Sequence, residues 1–174
     1  VGTTGFQIAN PHLFPGVTVV FLTMRMFIGG SSGSTAGGLK LSRIALGYRG
    51  IIWWFRRTFV RGKVLVPFKY EGRTIAASVG EQELSKNMLV IILSVLTIFA
   101  ATLVILQFHI TSFGVPDLLF DIVSALSSCG VTTGYVSPTM PLISKWVFIL
   151  VMWIGRLEVI PVIILFMGLF RGRD

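Results

Sequence analysis

The 174-residue chain is 53% hydrophobic and 13% charged, with a mean hydropathy of +0.84 and a formal net charge of +8. Soluble domains carry about 25% charged residues, so this composition excludes an ordinary soluble fold and points to an integral membrane protein. The single Cys129 excludes an internal disulfide.

Charge distribution narrows the reading further. Ten of the 15 Lys and Arg fall between Lys40 and Lys86, and Arg171 and Arg173 sit at the C-terminus. That is the pattern of cytoplasmic loops under the positive-inside rule, and it argues against nucleic-acid binding. The chain opens at Val1, with no basic n-region ahead of an apolar stretch. It is therefore read as the C-terminal part of a longer protein, with no signal peptide.

In chain order, Val17 to Ile28 is apolar apart from Thr18, Thr23 and Arg25. A Gly/Ser/Thr stretch, Gly29 to Gly38, interrupts it, and a second helical run reaches about Phe55. Tyr48 to Phe59 mixes Trp53, Trp54 and Phe55 with Arg49, Arg56 and Arg57. This suits either an amphipathic helix at the membrane interface or a solvated basic connector. Val64 to Tyr70 and Arg73 to Ala77 flank Glu71-Gly72 and predict a short cytoplasmic hairpin.

Met88 to Phe108 holds no charged residue. At ~1.5 Å per residue it spans about 30 Å, the thickness of a hydrocarbon core. Pro116 to Ser128 predicts a shorter helix, with Pro116 suited to its first turn and Asp117 near its positive end. It reaches only about 20 Å, too short to cross. Trp146 to Phe170 is a further long apolar stretch carrying Arg156, Glu158 and Pro161. If the short helix is re-entrant, the Arg171 and Arg173 pair ends inside, as the positive-inside rule requires.

An internal repeat supports this topology. Thr3-Thr4-Gly5-Phe6 recurs as Thr132-Thr133-Gly134-Tyr135, and Met26-Phe27-Ile28-Gly29 recurs as Met152-Trp153-Ile154-Gly155. Two motifs in the same order indicate a duplicated unit. Irregular backbone at membrane depth is tolerated only where it is buried or faces water. Gly there lets carbonyls point inward, and rings of carbonyls replace the hydration shell of a potassium ion. The C-terminal end of a preceding half-helix favours a cation at the same place. The candidate ion-binding residues are Thr3, Thr4, Gly5, Val131, Thr132, Thr133 and Gly134, acting through backbone carbonyls, with Phe6 and Tyr135 packing behind them. The bland alternative is a capped helix end with a Gly turn.

Gly29 to Gly38 is not a phosphate-binding loop, because Gly38-Leu39-Lys40-Leu41 stands where Gly-Lys-Ser/Thr is needed. It is either a helix-packing stretch of small residues or a loop able to unwind. Arg156 is a charge in a membrane helix, which costs about 2.5 kcal/mol or more unless paired. It should find carbonyls or hydroxyls in Ser31 to Thr35, or a carboxylate, or else satisfy a helix break near Gly155. His12 and His109 have no metal-ligand company, and no residue cluster points to an enzyme.

These residues resemble the Trk/Ktr/HKT superfamily of potassium transporters. The run Met26-Phe27-Ile28-Gly29-Gly30-Ser31-Ser32-Gly33-Ser34-Thr35-Ala36-Gly37-Gly38-Leu39-Lys40 is similar to the family's intramembrane gating loop. Cys129 to Tyr135 resembles its fourth filter loop, and Gly155-Arg156-Leu157-Glu158 its fourth-repeat helix. The resemblance implies an all-α integral membrane protein built from helix–re-entrant pore helix–helix repeats of a potassium-channel-like fold. Residues 1–46 would end a third repeat, 47–86 form a cytoplasmic basic connector, and 87–174 form a fourth repeat. It also implies potassium uptake through a carbonyl filter, with a gate formed by Gly29, Gly30, Ser31, Ser32, Gly33, Ser34, Thr35, Ala36, Gly37 and Gly38 and braced by Arg156. No cofactor is implied beyond K+ as the transported ion. The implied setting is a multi-pass subunit of the cytoplasmic membrane, in contact with lipid, forming a homodimer on a cytosolic ring of nucleotide-binding regulatory subunits. A proton- or sodium-coupled secondary transporter is the alternative, although its inverted repeats would run in opposite directions and these copies run in parallel.

Overall fold

The computed structural model describes residues 5–7, 10–30, 37–59, 68–70, 73–75, 77–108, 113–157 and 168. Among the described residues the regular structure is helical apart from one short hairpin and an isolated bridge. A 3-10 turn, Pro11–Leu13, leads into α1 (Gly16–Phe27), followed by α2 (Leu41–Phe59). Strands β1 (Phe68–Tyr70) and β2 (Arg73–Ile75) pair antiparallel with Phe68 opposite Ile75, where the sequence predicts a hairpin. Then come α3 (Ala77–Gln107), α4 (Val115–Leu126) and α5 (Leu142–Leu157).

Helix α4 organises the rest. Its 12 residues reach only about 18 Å, yet α1, α3 and α5 all pack against it. Helical periodicity gives each neighbour its own face. Leu118, Ile122, Ala125 and Leu126 join Ala101 and Ile105 of α3 and Phe148 and Val151 of α5 in one apolar cluster. Phe120 and Val123 join Val19 and Met26 of α1, with Cys129, in a second. Asp117, Asp121 and Ser124 fall at i, i+4 and i+7 and form a polar stripe. Gly114 is the N-cap residue, and Asp117 Oδ2 accepts its backbone N–H at 3.3 Å. Pro116 lies one position inside the helix, since Val115 is the first helical residue.

The outward faces of the surrounding helices are apolar. Val17, Phe21 and Met24 of α1, Ile92, Phe99 and Leu103 of α3, and Trp146 and Ile149 of α5 are each more than half exposed. Exposed apolar side chains in this number mark contact with lipid or with further protein. Within α3, Glu81–Gln107 is the one helix among the described residues long and apolar enough to cross a bilayer. Ser94, Thr97 and Thr102 return their hydroxyls to the carbonyls of Val90, Leu93 and Ile98, so none of the three needs a partner outside the helix.

Several boundaries differ from the sequence reading. The span expected at Met88 is the second part of a helix that begins at Ala77. The added turns are rich in good helix formers and carry a Glu83–Lys86 ion pair at 3.1 Å. Helix α5 begins at Leu142, ahead of the expected Trp146. Glu158, Pro161, Arg171, Arg173 and His109 lie outside the described residues. Helix α2 packs on α3 through Gly47 and Gly50, which stand against Ile91 and Leu84.

The repeat now has a structural boundary. Gly16 and Leu142, the first residues of α1 and α5, are separated by the same offset as the two Met-aromatic-Ile-Gly motifs. The length difference between the copies therefore falls in the connectors, 7–15 and 136–141. The copies part at the second motif. Helix α1 stops at Phe27, ahead of Gly29-Gly30 and two serines, whereas α5 runs through Gly155 to Leu157. Gly and Ser are weak helix formers, and Arg and Leu are strong ones.

Candidate functional site

The site begins where α4 ends. Ser127 is the C-cap, and Ser128 takes a left-handed φ of 55°. Cys129 N–H donates to the Ser124 carbonyl at 2.9 Å and Ser128 N–H to the Ala125 carbonyl at 3.2 Å. These two bonds are a Schellman stop. Gly130, with φ 79°, then turns the chain away from the helix axis.

Residues Val131 to Gly134 fold back along α4 and are tied to its polar stripe. Asp121 is 2% exposed. Its Oδ1 accepts the Thr133 backbone N–H at 2.7 Å and the Thr133 hydroxyl at 3.2 Å. Its Oδ2 accepts the Thr132 hydroxyl at 2.7 Å. The Thr132 oxygen in turn accepts the Gly134 N–H at 3.0 Å. In a trans peptide the N–H and the C=O point in opposite directions. With Thr133 N–H directed at Asp121, the Thr132 carbonyl faces away from α4. Gly134 has φ 108°, a value L residues rarely adopt.

The first copy of the motif meets the second here. Gly5, φ 69°, stands against Gly130: a Cβ on Gly130 would lie 3.3 Å from Gly5 Cα. The Gln7 side-chain oxygen accepts the Thr132 N–H at 3.2 Å. Thr3 and Thr4 lie outside the described residues. The two aromatic residues diverge. Tyr135 is buried, its hydroxyl 3.0 Å from Ser144 Oγ and its ring packed among Phe113 and Phe148. Phe6, expected to pack in the same way, is 89% exposed. Among the described residues it has no counterpart of Phe113 and Phe148.

A third structure lies against the C-terminal end of α4. Gly29 N–H donates to the Leu39 carbonyl at 2.8 Å and Leu41 N–H to the Gly30 carbonyl at 3.1 Å. Ile28 and Leu39 form a parallel bridge. The two ends of the Gly29 to Gly38 segment are thus pinned together. Gly29 must lack a side chain, since its Cβ would stand 2.7 Å from the Gly37 carbonyl oxygen. Gly37 and Gly38 pack on the α4 terminus: a Cβ on Gly37 would lie 3.1 Å from the Leu126 oxygen, and one on Gly38, φ 77°, 3.2 Å from Ser127 Cα. Gly155 presses on Leu126 from α5. A narrow crevice between these parts is lined by Gly38, Leu39, Arg43, Ser94 and Ile154. Ser31, Ser32, Gly33, Ser34, Thr35 and Ala36 lie outside the described residues, so the expected contact of Arg156 with them does too. Arg156 itself is in the last turn of α5, next to Gly155.

Sequence reasoning missed Asp121 and Gln7. The signal for Asp121 was present, because it is the lone carboxylate inside the apolar run from Leu118 to Leu126. A buried charge without a purpose is costly. Gln7 carries no such signal. His12 Nδ1 lies 3.0 Å from Asp117 Oδ2. That contact ties the connector before α1 to the start of α4.

A profile of the TrkH family, described as cation transport protein, matches residues 1–171. The Trk system potassium uptake protein TrkH of Halomonas elongata is 30% identical over 178 residues, 97% of this chain and 34% of that protein. The Ktr system potassium uptake protein D of Bacillus subtilis is 30% identical over 146 residues, 82% of this chain and 29% of that protein. The potassium/sodium uptake protein NtpJ of Enterococcus hirae is 32% identical over 145 residues, 83% of this chain and 30% of that protein. The chain spans about a third of the length of the first of these.

Proposed function

The chain belongs to the TrkH family of cation transport proteins, and from that premise we propose that it is the C-terminal part of a membrane subunit that takes up potassium through a channel-like pore. In this reading, residues 1–46 close a third helix–pore helix–helix repeat, 47–86 connect in the cytoplasm, and 87–174 form the fourth repeat. Helix α4 is the re-entrant pore helix. It is too short to cross a bilayer, is enclosed by α1, α3 and α5, and leads directly into the glycine-rich loop.

The observation that carries the reading is the meeting of the two copies at Gly5 and Gly130. With Gly5 of the first motif against Gly130, Gln7 bonded to Thr132 and the Thr132 carbonyl turned away from its pore helix, the two loops read as parts of one ring of oxygens. Such a ring substitutes for the hydration shell of a dehydrated cation. Thr3, Thr4, Gly5, Val131, Thr132, Thr133 and Gly134 would supply its oxygens. The C-terminal end of α4 adds partial negative charge at the ion's approach.

The Gly29 to Gly38 segment is the gate in this scheme. Its two ends are hydrogen-bonded to each other, and Gly37 and Gly38 pack on the α4 terminus. Arg156, one residue beyond the Gly155 contact, braces it. The subunit would lie in the cytoplasmic membrane as a multi-pass homodimer, with its basic connector facing a cytosolic ring of nucleotide-binding regulatory subunits.

The test is ion flux into proteoliposomes carrying the full-length parent protein, comparing potassium and rubidium with sodium, with the regulatory subunit supplied. Selective, electrically driven flux of potassium and rubidium supports the reading. Flux that requires a proton or sodium gradient would replace the channel with a coupled carrier.

A further inference from the structure

The buried carboxylate of Asp121 cannot touch a permeating ion, because it is 2% exposed and sits on α4 behind the loop. It nevertheless receives every hydrogen bond that the Thr132 and Thr133 side chains direct toward α4, together with the Thr133 amide. Both of its oxygens act as acceptors at distances typical of charge-assisted bonds, 2.7 Å for the closest on each. The Thr132 hydroxyl donates to Asp121, and its oxygen keeps a lone pair with which it accepts the Gly134 N–H. One side chain thereby orients the amides of two successive loop residues, one directly and one through a hydroxyl.

Peptide planarity converts that hold into a carbonyl direction. The Thr133 N–H fixes the Thr132 carbonyl, and the Gly134 N–H fixes the Thr133 carbonyl. Rotating either peptide by tens of degrees would change the cage that an ion meets. Size discrimination between potassium and sodium depends on the number and placement of those oxygens.

We propose that Asp121 is a positioning residue that sets ion discrimination by holding the Thr132–Thr133–Gly134 peptides from behind. The inference rests on the filter reading above and deepens it. It assigns part of the selectivity to a residue outside the loop, whereas the filter reading names only the loop's own carbonyls.

The experiment is reversal-potential or competitive-flux measurement on the full-length parent and on Asp121→Asn, Asp121→Ala and Asp121→Glu. In Asp121→Asn the side chain keeps its size but one acceptor becomes a donor, so the Thr132 hydroxyl loses the acceptor for its proton. The expected result is a potassium-to-sodium ratio lowered about tenfold in Asp121→Ala (about 1.4 kcal/mol). A smaller fall is expected in Asp121→Asn, and a ratio closer to the parent's in Asp121→Glu, which retains both acceptors. If Asp121→Ala fails to fold, Asp121→Asn carries the test alone. An unchanged ratio in Asp121→Asn, or reduced total flux at an unchanged ratio, would overturn the proposal, because a purely structural residue lowers the amount of working protein and leaves its discrimination intact. Selective flux missing from the parent itself would overturn the underlying reading and this inference with it.

Discussion

Gly155 of α5 lies so close to the last residue of α4 that a Cβ would overlap the Leu126 carbonyl oxygen and stand 2.8 Å from its carbon. The same oxygen would lie 3.1 Å from a Cβ on Gly37. The end of the short helix is therefore held between two glycines, one from each copy of the repeat.

A methyl group at Gly155 must push α5 off α4. Backbone cannot yield as a flexible side chain does, and overpacking of this kind costs about 1–3 kcal/mol. Gly155→Ala is expected to lower the thermal midpoint of the purified full-length protein. Gly16→Ala, where nothing lies within 4 Å, should leave it unchanged. Equal midpoints for the two variants would mean that α5 and α4 are not in this contact.

On the proposed filter reading, Gly134→Ser should weaken the preference for potassium over sodium through its backbone conformation. The nearest atoms to a Cβ there belong to the Phe113 ring, 3.8 Å away, so there is room for a side chain. The difficulty is φ 108°, which an L residue adopts at a cost of about 1–2 kcal/mol. Gly134→Ala should therefore be as harmful as Gly134→Ser in the flux ratio. A harmless alanine with a harmful serine would point to crowding in place of backbone rotation.

Tyr135 and Ser144 share a buried hydrogen bond of 3.0 Å between the loop and α5. Tyr135→Phe leaves the Ser144 hydroxyl without that partner, and Ser144→Ala does the reverse. Each should cost about 1–3 kcal/mol of stability. The double variant should lose less than the sum of the two, since it strands neither group. Additive losses in thermal or denaturant unfolding would show the bond to be unimportant.

Arg156→Ala, or removal of Gly33 to Ala36, should raise flux in the absence of the activating signal, because each takes away part of the proposed gate. Radiolabelled rubidium uptake into proteoliposomes without the regulatory subunit is the measurement. Unchanged basal uptake in both variants would remove the gate from this segment.

Much of this was legible before the fold was known. The strongest signals were those in which one residue type has one physical use. The uncharged run after Asn87, the brevity of the segment from Pro116, and the duplicated Thr-Thr-Gly all follow from hydropathy, length and order. Asp121 was legible in principle and passed over, because a single carboxylate in an apolar helix is ambiguous until its partners are seen. The eleven added residues at the start of α3, Ala77 to Asn87, were missed because hydropathy locates the part of a helix that meets lipid, not the part that continues beyond it.

Sequence by itself determined that the chain is apolar, duplicated and asymmetrically basic, and hence its class and the order of its parts. These are properties of local composition and periodicity, which need no knowledge of what lies nearby. Only the tertiary structure decided that Gly5 meets Gly130, that Asp121 holds Thr132 and Thr133, and that Gly37 and Gly155 share one carbonyl. Those are contacts between residues far apart in the chain or turned to one face by the loop. A glycine or a carboxylate acquires its meaning there from the atoms opposite it, and the linear order does not specify those atoms.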